Sequence, residues 1–278
     1  MATGNCFSFG NRTRKQYYST LKNETPSPNG IKLTRTSEEE DFTDSGESHE
    51  KVRKIFKEIA SDYDRVNRII SFGRIDKWRH RLVSTMELPV NGSILDLGCG
   101  TGKLTRLIAD KMEEGRVLGV DLTPEMIEIA EGLLPAEYDD TVDFSVGVGE
   151  DLELQSNSFD VVASAFTLRN VNNLPRVISE MKRVLKPGGK LYSLELAKPR
   201  IPGFREVYRL YFDRVLPIIG GVVQGDSGPY RYLAESLKRF PNQDKLKQLY
   251  QKAGLAKVDF QEIFGGIAAI HRGIKREN

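Results

Sequence analysis

From about residue 90 onward, this 278-residue chain predicts an α/β fold with a mostly parallel sheet and helices on both faces. Three observations predict it. Short apolar runs alternate with amphipathic stretches from Ser93 to Leu196. The first run, Ile94 to Leu97, opens into a glycine-dense loop, Gly98-Cys99-Gly100-Thr101-Gly102. The second run ends on an acid, Asp121, 19 residues after Gly102. Acids at about that distance follow the glycine loop of nucleotide-binding βαβ units.

The elements follow in order. Val52, Ile55, Phe56 and Ile59 recur at three- and four-residue spacing, which predicts an amphipathic helix. A second helix is centred on Trp78, Leu82 and Met86, and Pro89 with Asn91-Gly92 closes this helical cap over 49–90. Strand Ser93–Leu97 leads through the glycine loop into a helix from Leu104 to Met112. Strand Arg116–Leu122 precedes a helix from Pro124 to Leu133, with proline near its start. Strands follow at Val142–Val148 and Phe159–Phe166, then a helix over Leu174–Leu185. Lys186-Pro187-Gly188-Gly189 is expected to turn the chain into strand Lys190–Leu196. Residues 200–240 interrupt the pattern with an aromatic-rich helical insertion on the substrate side. A helix over Gln243–Ala253 carries Gly254 at its C-cap. Lys257–Phe264 and Ile267–Ile274, joined at Gly265-Gly266, form an antiparallel hairpin and bring the strand count to seven.

Composition sets boundaries. Residues 1–48 are polar, with a basic start and an acidic stretch after it, and are expected to be a disordered tail preceding a domain over 49–278. The near-neutral balance of 41 basic and 39 acidic residues argues against nucleic acid as a partner. Cys6 and Cys99 supply no disulfide framework, which makes a reducing, cytoplasmic setting the expectation. His49, His80 and His271 are scattered, so no metal is expected. No run of 18 apolar residues suggests a transmembrane helix.

The glycine loop narrows the cofactor. A nicotinamide fingerprint needs its third glycine at position 103, where this chain has Lys, and no Gly-Lys-Ser/Thr follows for a P-loop. The shorter Gly-x-Gly-x-Gly spacing, preceded by Asp96-Leu97, resembles motif I of class I S-adenosylmethionine-dependent methyltransferases. A nucleoside without pyrophosphate needs close backbone approach rather than a phosphate cradle, which glycines permit. The resemblance implies a Rossmann-like methyltransferase fold. It assigns the cofactor to Asp96, Gly98, Gly100, Thr101, Gly102, Asp121, Leu122, Gly149, Glu150, Asp151 and Ala165. Asp121 is placed to accept hydrogen bonds from ribose hydroxyls. For Glu150-Asp151, holding the adenine amino group and lying in a solvated charged loop are equally open. Cys99 reads as a small apolar filler.

Longer stretches resemble the ubiquinone/menaquinone biosynthesis C-methyltransferase family across residues 50–275. They are Tyr63-Asp64-Arg65-Val66-Asn67-Arg68, Leu168-Arg169-Asn170-Val171, Arg183 to Leu191 running to Glu195, Tyr230 to Ser236, and Gly265 to Gly273. The chain departs from that family's pattern at Val66, Ile75 and Ala197, where Met, His and Ser are usual. The resemblance implies methyl transfer from S-adenosylmethionine to a ring carbon of a prenylated quinol, with demethylmenaquinol to menaquinol as the reading drawn from it. Arg169 is assigned to stabilising a phenolate, Asn170 to positioning the ring oxygen, and Tyr63 to contacting quinol or cofactor. His80 and His271 are weighed as bases against structural roles. Three alternatives stay open: a prenylated benzoquinol, another small lipid or aromatic acceptor, and a non-catalytic cofactor-binding subunit. The dense run Phe204 to Ile219 reads either as core and homodimer packing or as a cover for the prenyl tail that makes transient contact with a membrane surface.

Overall fold

The computed structural model describes residues 49–59, 71, 73–215 and 228–277. The expected tail over 1–48, Tyr63, Val66 and the 216–227 part of the insertion lie outside the described residues. Strands are β1 (Asn91–Leu97), β2 (Glu114–Asp121), β3 (Val142–Val146), β4 (Phe159–Ala165), β5 (Leu185–Leu196), β6 (Leu255–Ile263) and β7 (Ala268–Lys275). Helices are α1 (His49–Ile59), α2 (Ile75–Thr85), α3 (Lys103–Lys111), α4 (Pro124–Gly132), α5 (Leu174–Val184), α6 (Phe204–Leu210), α7 (Gly228–Arg239) and α8 (Gln243–Lys252). One sheet holds all seven strands in the order β3-β2-β1-β4-β5-β7-β6. The first five are mutually parallel, and β7 runs antiparallel between β5 and β6. The expected mixed sheet with its terminal hairpin is therefore present.

Strand periodicity explains the two cores. Side chains alternate across a strand, so Ile94, Val117 and Val161 face one layer while Leu95, Leu118 and Val162 face the other. The first layer is closed by α2, α3 and α7 through Trp78, Leu82, Leu104, Ile108 and Leu237. The second is closed by α5 and α8 through Val177, Ile178, Met181, Leu246 and Tyr250. Parallel strands buried on both faces need near-continuous apolar runs, which Ile94-Leu95 and Val161-Val162-Ala163 provide. Tyr250 is fully buried, and its hydroxyl donates to Ser193 Oγ at 2.7 Å, so its polar end is satisfied inside the core.

Two local expectations change. Lys186-Pro187-Gly188-Gly189 does not separate α5 from a later strand: β5 starts at Leu185. The pairing jumps from Phe159↔Leu185 to Val161↔Lys190, so five steps along β5 oppose two along β4. The Lys-Pro-Gly-Gly segment is thus a bulge inside β5, with Gly188 at φ 75. The hairpin tip is longer than a two-residue turn. Phe264–Gly266 forms a short 3-10 turn, with Gly265 and Gly266 both at positive φ.

The strand order reverses between β1 and β4, so the loops leaving their C-terminal ends diverge and open a crevice. The glycine loop lies on one side of it, and the 3-10 turn Leu168–Asn170 lies on the other.

Candidate active site

The glycine loop is tied down by backbone bonds to the end of β2. Gly98 and Cys99 N–H groups donate to the Val120 carbonyl at 2.7 and 3.1 Å. Asp121 Oδ2 accepts from Gly100 N–H, and Asp121 Oδ1 accepts from Thr123 N–H, both at 2.9 Å. Burial pushes the Asp121 carboxyl above its ordinary range, and those N–H groups oppose the rise. Gly98 sits at φ 72, and a Cβ there would lie 2.1 to 2.6 Å from Thr167 side-chain atoms. Thr167 Oγ1 in turn donates to the Gly98 carbonyl at 3.1 Å, joining the loops after β1 and β4. Cys99 is buried against Gly119, and burial raises its thiol well above the usual range, which fits a filler rather than a nucleophile.

Two cavities flank this loop. The larger is a cleft of about 710 Å³, counting the solvent space at its opening. Gly98, Gly100, Asp121, Leu122, Gly149 and Glu150 line one wall, Phe166 and Asn170 the opposite wall. His49, Val52 and Phe56 bring α1 into its lining. The smaller, about 300 Å³, is bounded by Asp96, Thr101 and Ala165 together with Arg79 and Lys103. Gly102, Asp151 and Arg169 line neither. Gly102 instead caps α3 in the left-handed region, where a Cβ would meet Phe144 at 2.8 Å. Asp151 is exposed, whereas Glu150 is held: its Oε1 accepts from the Asn172 and Asn173 N–H groups at 2.8 and 3.3 Å. Glu150 Oε2 faces His49 Nε2 at 3.2 Å. Burial acts to raise the Glu150 carboxyl, but His49 and the two N–H groups hold it below its ordinary value.

Asp96 is buried at the end of β1. Its Oδ2 accepts from the Thr105 hydroxyl at 2.7 Å, while Oδ1 has no partner. Burial raises this carboxyl to about 7, with Thr105 and the Arg79 charge pulling the other way. A lone buried carboxylate oxygen beside a cavity suits a cationic amine, and Asp121 suits a diol. The glycine backbone packs closely against Thr167 and Phe144, where a Cβ at Gly98 or Gly102 would clash, and so keeps the loop tight beside the cavity. These three features fit the amino-acid end and the ribose of S-adenosylmethionine.

Across the crevice, Phe166 directly follows β4 at φ 62, a conformation rare for an aromatic residue. It aims the Phe166 carbonyl at the next turn, where Arg169 Nη1 and Asn170 Nδ2 donate to it at 2.5 and 3.2 Å. Arg169 also donates to Glu195 Oε2 at 3.3 Å, and both side chains are almost fully buried, 4% and 2% exposed. Glu195 Oε1 accepts from Leu168 N–H at 2.6 Å. Arg169 is therefore no surface ion pair: it is packed beneath the acceptor side of the crevice with its Nε unpartnered. Asn170 lines the larger cavity and leaves its Oδ1 unpartnered.

Sequence reasoning missed Phe166, Thr167, Glu195 and the α1 contributors His49, Val52 and Phe56. Glu195 lay within a quoted motif, but its contact with Arg169 spans 26 residues and two strands. Of the weighed bases, His80 is exposed on α2. His271 is buried in β7, with Nε2 2.9 Å from the Gln243 carbonyl, and is structural. Ile75, at the usual His position, is buried in the first core layer.

Residues 43–275 match the ubiE/COQ5 methyltransferase family. A demethylmenaquinone methyltransferase of Staphylococcus haemolyticus is 36% identical over 238 residues, covering 85% of this chain and 99% of that protein. A demethylmenaquinone methyltransferase of Symbiobacterium thermophilum is 37% identical over 237 residues, covering 83% and 94%. Among solved structures, a SAM-dependent methyltransferase of Thermotoga maritima superposes with a TM-score of 0.58 at 21% identity, over 81% of this chain and all of that one, which supports the fold. The glycine loop, the strand-end acids and this match along most of the chain agree: the protein belongs to the ubiE/COQ5 methyltransferase family and uses S-adenosylmethionine as its methyl donor.

Proposed function

We propose that this methyltransferase methylates a ring carbon of a prenylated quinol, converting demethylmenaquinol to menaquinol. The observation that carries this is the similarity to demethylmenaquinone methyltransferases over almost their full length. The site chemistry supports it. An aromatic carbon becomes a competent nucleophile when a ring hydroxyl loses its proton and the oxygen's charge spreads to the ring. When bound, S-adenosylmethionine supplies an electrophilic methyl group. The chain must hold the ring in line with that methyl and stabilise the oxyanion.

Asp121 and the glycine loop hold the ribose, and Asp96 Oδ1 takes the amine. Glu150, Gly149 and Leu122 form the rest of the nucleoside wall. Arg169 stabilises the phenolate through its free Nε. An arginine guanidinium is a poor direct base, so its role is electrostatic. Asn170 Oδ1 accepts from the ring hydroxyl and fixes the ring's orientation. Tyr63 contacts quinol or cofactor; its assignment rests on the family resemblance.

The prenyl tail needs an apolar route. Ile201, Val207, Leu210, Val215 and Phe264 are exposed around α6 and the hairpin tip, accompanied by Arg205 and Arg209. This combination suits contact with an anionic lipid surface at the inner face of the membrane. Among the described residues no helix is long and apolar enough to cross a membrane. Co-sedimentation with anionic vesicles tests this contact, and a second copy covering the same face would appear instead as a dimer in solution.

The function is tested by following labelled methyl from S-adenosylmethionine into demethylmenaquinol and into a demethylated prenyl benzoquinol. Transfer to the naphthoquinol is expected; cofactor binding without transfer to either quinol overturns the proposal. Arg169→Ala should lower kcat by about 10²-fold while cofactor affinity stays within a few-fold. A collapse of cofactor binding instead removes Arg169 from the acceptor side.

A further inference from the structure

We propose that Tyr208 is a further catalytic residue, whose hydroxyl donates a hydrogen bond to the ring oxygen of the quinol beside Arg169. This rests on the quinol reading above.

Three buried polar atoms have no partner: Arg169 Nε and Asn170 Oδ1 in the turn after β4, and the hydroxyl of Tyr208, which lines neither cavity but is close enough to feel the Arg169 charge. Native interiors seldom leave such groups unsatisfied, and a cluster of them points to a missing polar ligand. Two are donors and one is an acceptor, which complements an ionising phenol. Tyr208 lies on α6, the first helix after β5, and β5 carries the Glu195 that holds Arg169. Its ring packs on Phe212, with centroids 4.6 Å apart, and against the core layer that contains Phe166. The Arg169 charge acts on its hydroxyl. A phenylalanine would meet the packing need, so the hydroxyl requires its own explanation.

Charge supplies that explanation. Glu195 already neutralises Arg169. A phenolate entering this buried place brings an extra negative charge that the pair does not balance. A neutral donor aimed at the same oxygen provides the stabilisation without another buried ion. Burial drives the Tyr208 hydroxyl well above the ordinary tyrosine range, with Arg169 opposing, so it keeps its proton and remains a donor.

The test compares the full chain with Tyr208→Phe and Tyr208→Leu, using labelled S-adenosylmethionine and reduced demethylmenaquinol with a short prenyl tail. The Phe variant is expected to keep its thermal midpoint and its S-adenosylmethionine Kd, and to lose about 10²-fold in kcat. Its kcat–pH profile should move to higher pH, because the bound quinol then ionises less readily. The Leu variant should lose at least as much kcat and also some thermal stability. A Phe variant with the wild-type kcat and pH profile overturns the proposal, as does a loss of activity that merely follows the thermal midpoint. Wild-type protein that binds cofactor but methylates no quinol overturns the quinol reading and this inference with it. Active wild type with an undiminished Phe variant removes Tyr208 alone.

Discussion

The two sides of the crevice are built by different physics. On the cofactor side, the contacts that shape the glycine loop are backbone bonds and carboxylate–amide bonds. Both Asp121 oxygens already hold N–H groups of the loops they organise. On the acceptor side, the Phe166 backbone is held at positive φ, and Arg169, Asn170 and Tyr208 each keep an unpartnered buried atom. The difference teaches where each side stores its specificity. The cofactor side is largely shaped before ligand arrives, with Asp96 Oδ1 left over for a ligand, and that shape is steric. The acceptor side is completed by ligand, and its demand is for charge and hydrogen bonds.

The largest effect should come from breaking the steric side. Gly98→Ala forces a side chain into the left-handed region and against Thr167 at 2.1 to 2.6 Å. Strain and overpacking together amount to about 3 kcal/mol, a loss of about 10² in cofactor affinity. Titration calorimetry with S-adenosylmethionine measures it. A Gly98→Ala variant that binds as tightly as wild type would show that the loop is not the rigid frame described.

A smaller effect is expected from the electrostatic side. Glu195→Gln keeps the size of the side chain and an acceptor for Leu168 N–H but leaves Arg169 buried without its counter-charge. Chemical denaturation should show a loss of about 2 kcal/mol, and kcat should fall about tenfold. Cofactor Kd should stay within a few-fold. If the Glu195→Gln variant instead loses cofactor affinity in parallel with kcat, the two sides are not separable.

The same division decides what could be read from sequence. The cofactor side is local. Asp96 to Gly102 occupies seven consecutive positions, and Asp121 ends the next strand, so the motif that carries the family resemblance is compact enough to read. The sheet was legible because strands buried on both faces leave unbroken apolar runs such as Ile94-Leu95 and Val161-Val162-Ala163. The acceptor side was legible only as a motif around Arg169. Its geometry depends on Glu195, 26 residues away across a strand pairing, on Tyr208 from an insertion, and on a φ of 62 at Phe166 that nothing in an aromatic residue announces. The Lys-Pro-Gly-Gly segment misled for a related reason. Its residues suit a turn and a bulge equally, and only pairing with β4 selects the bulge.

The smallest effect belongs to a residue outside both sides. His271 is 1% exposed, and burial pushes it down from 6.5 to about 4, although its bond to the Gln243 carbonyl pulls upward. Between those values the unfolded chain binds a proton that the folded chain refuses. The stability His271 contributes is therefore complete above pH 6.5 and is lost as pH falls toward 4. Asp96, raised to about 7, has the opposite slope, so the wild-type profile alone does not isolate His271. His271→Gln does, because Asp96 is common to both proteins and drops out of the difference. The destabilisation that the variant shows at about pH 7.5 should shrink by about 1.4 kcal/mol at about pH 5.5, roughly one unit below the unfolded value. Paired denaturation curves at the two pH values read this, with kcat per folded molecule unchanged. A pH-independent difference would mean that His271 titrates alike in the folded and unfolded chain, and a fall in kcat would bring it back as a base.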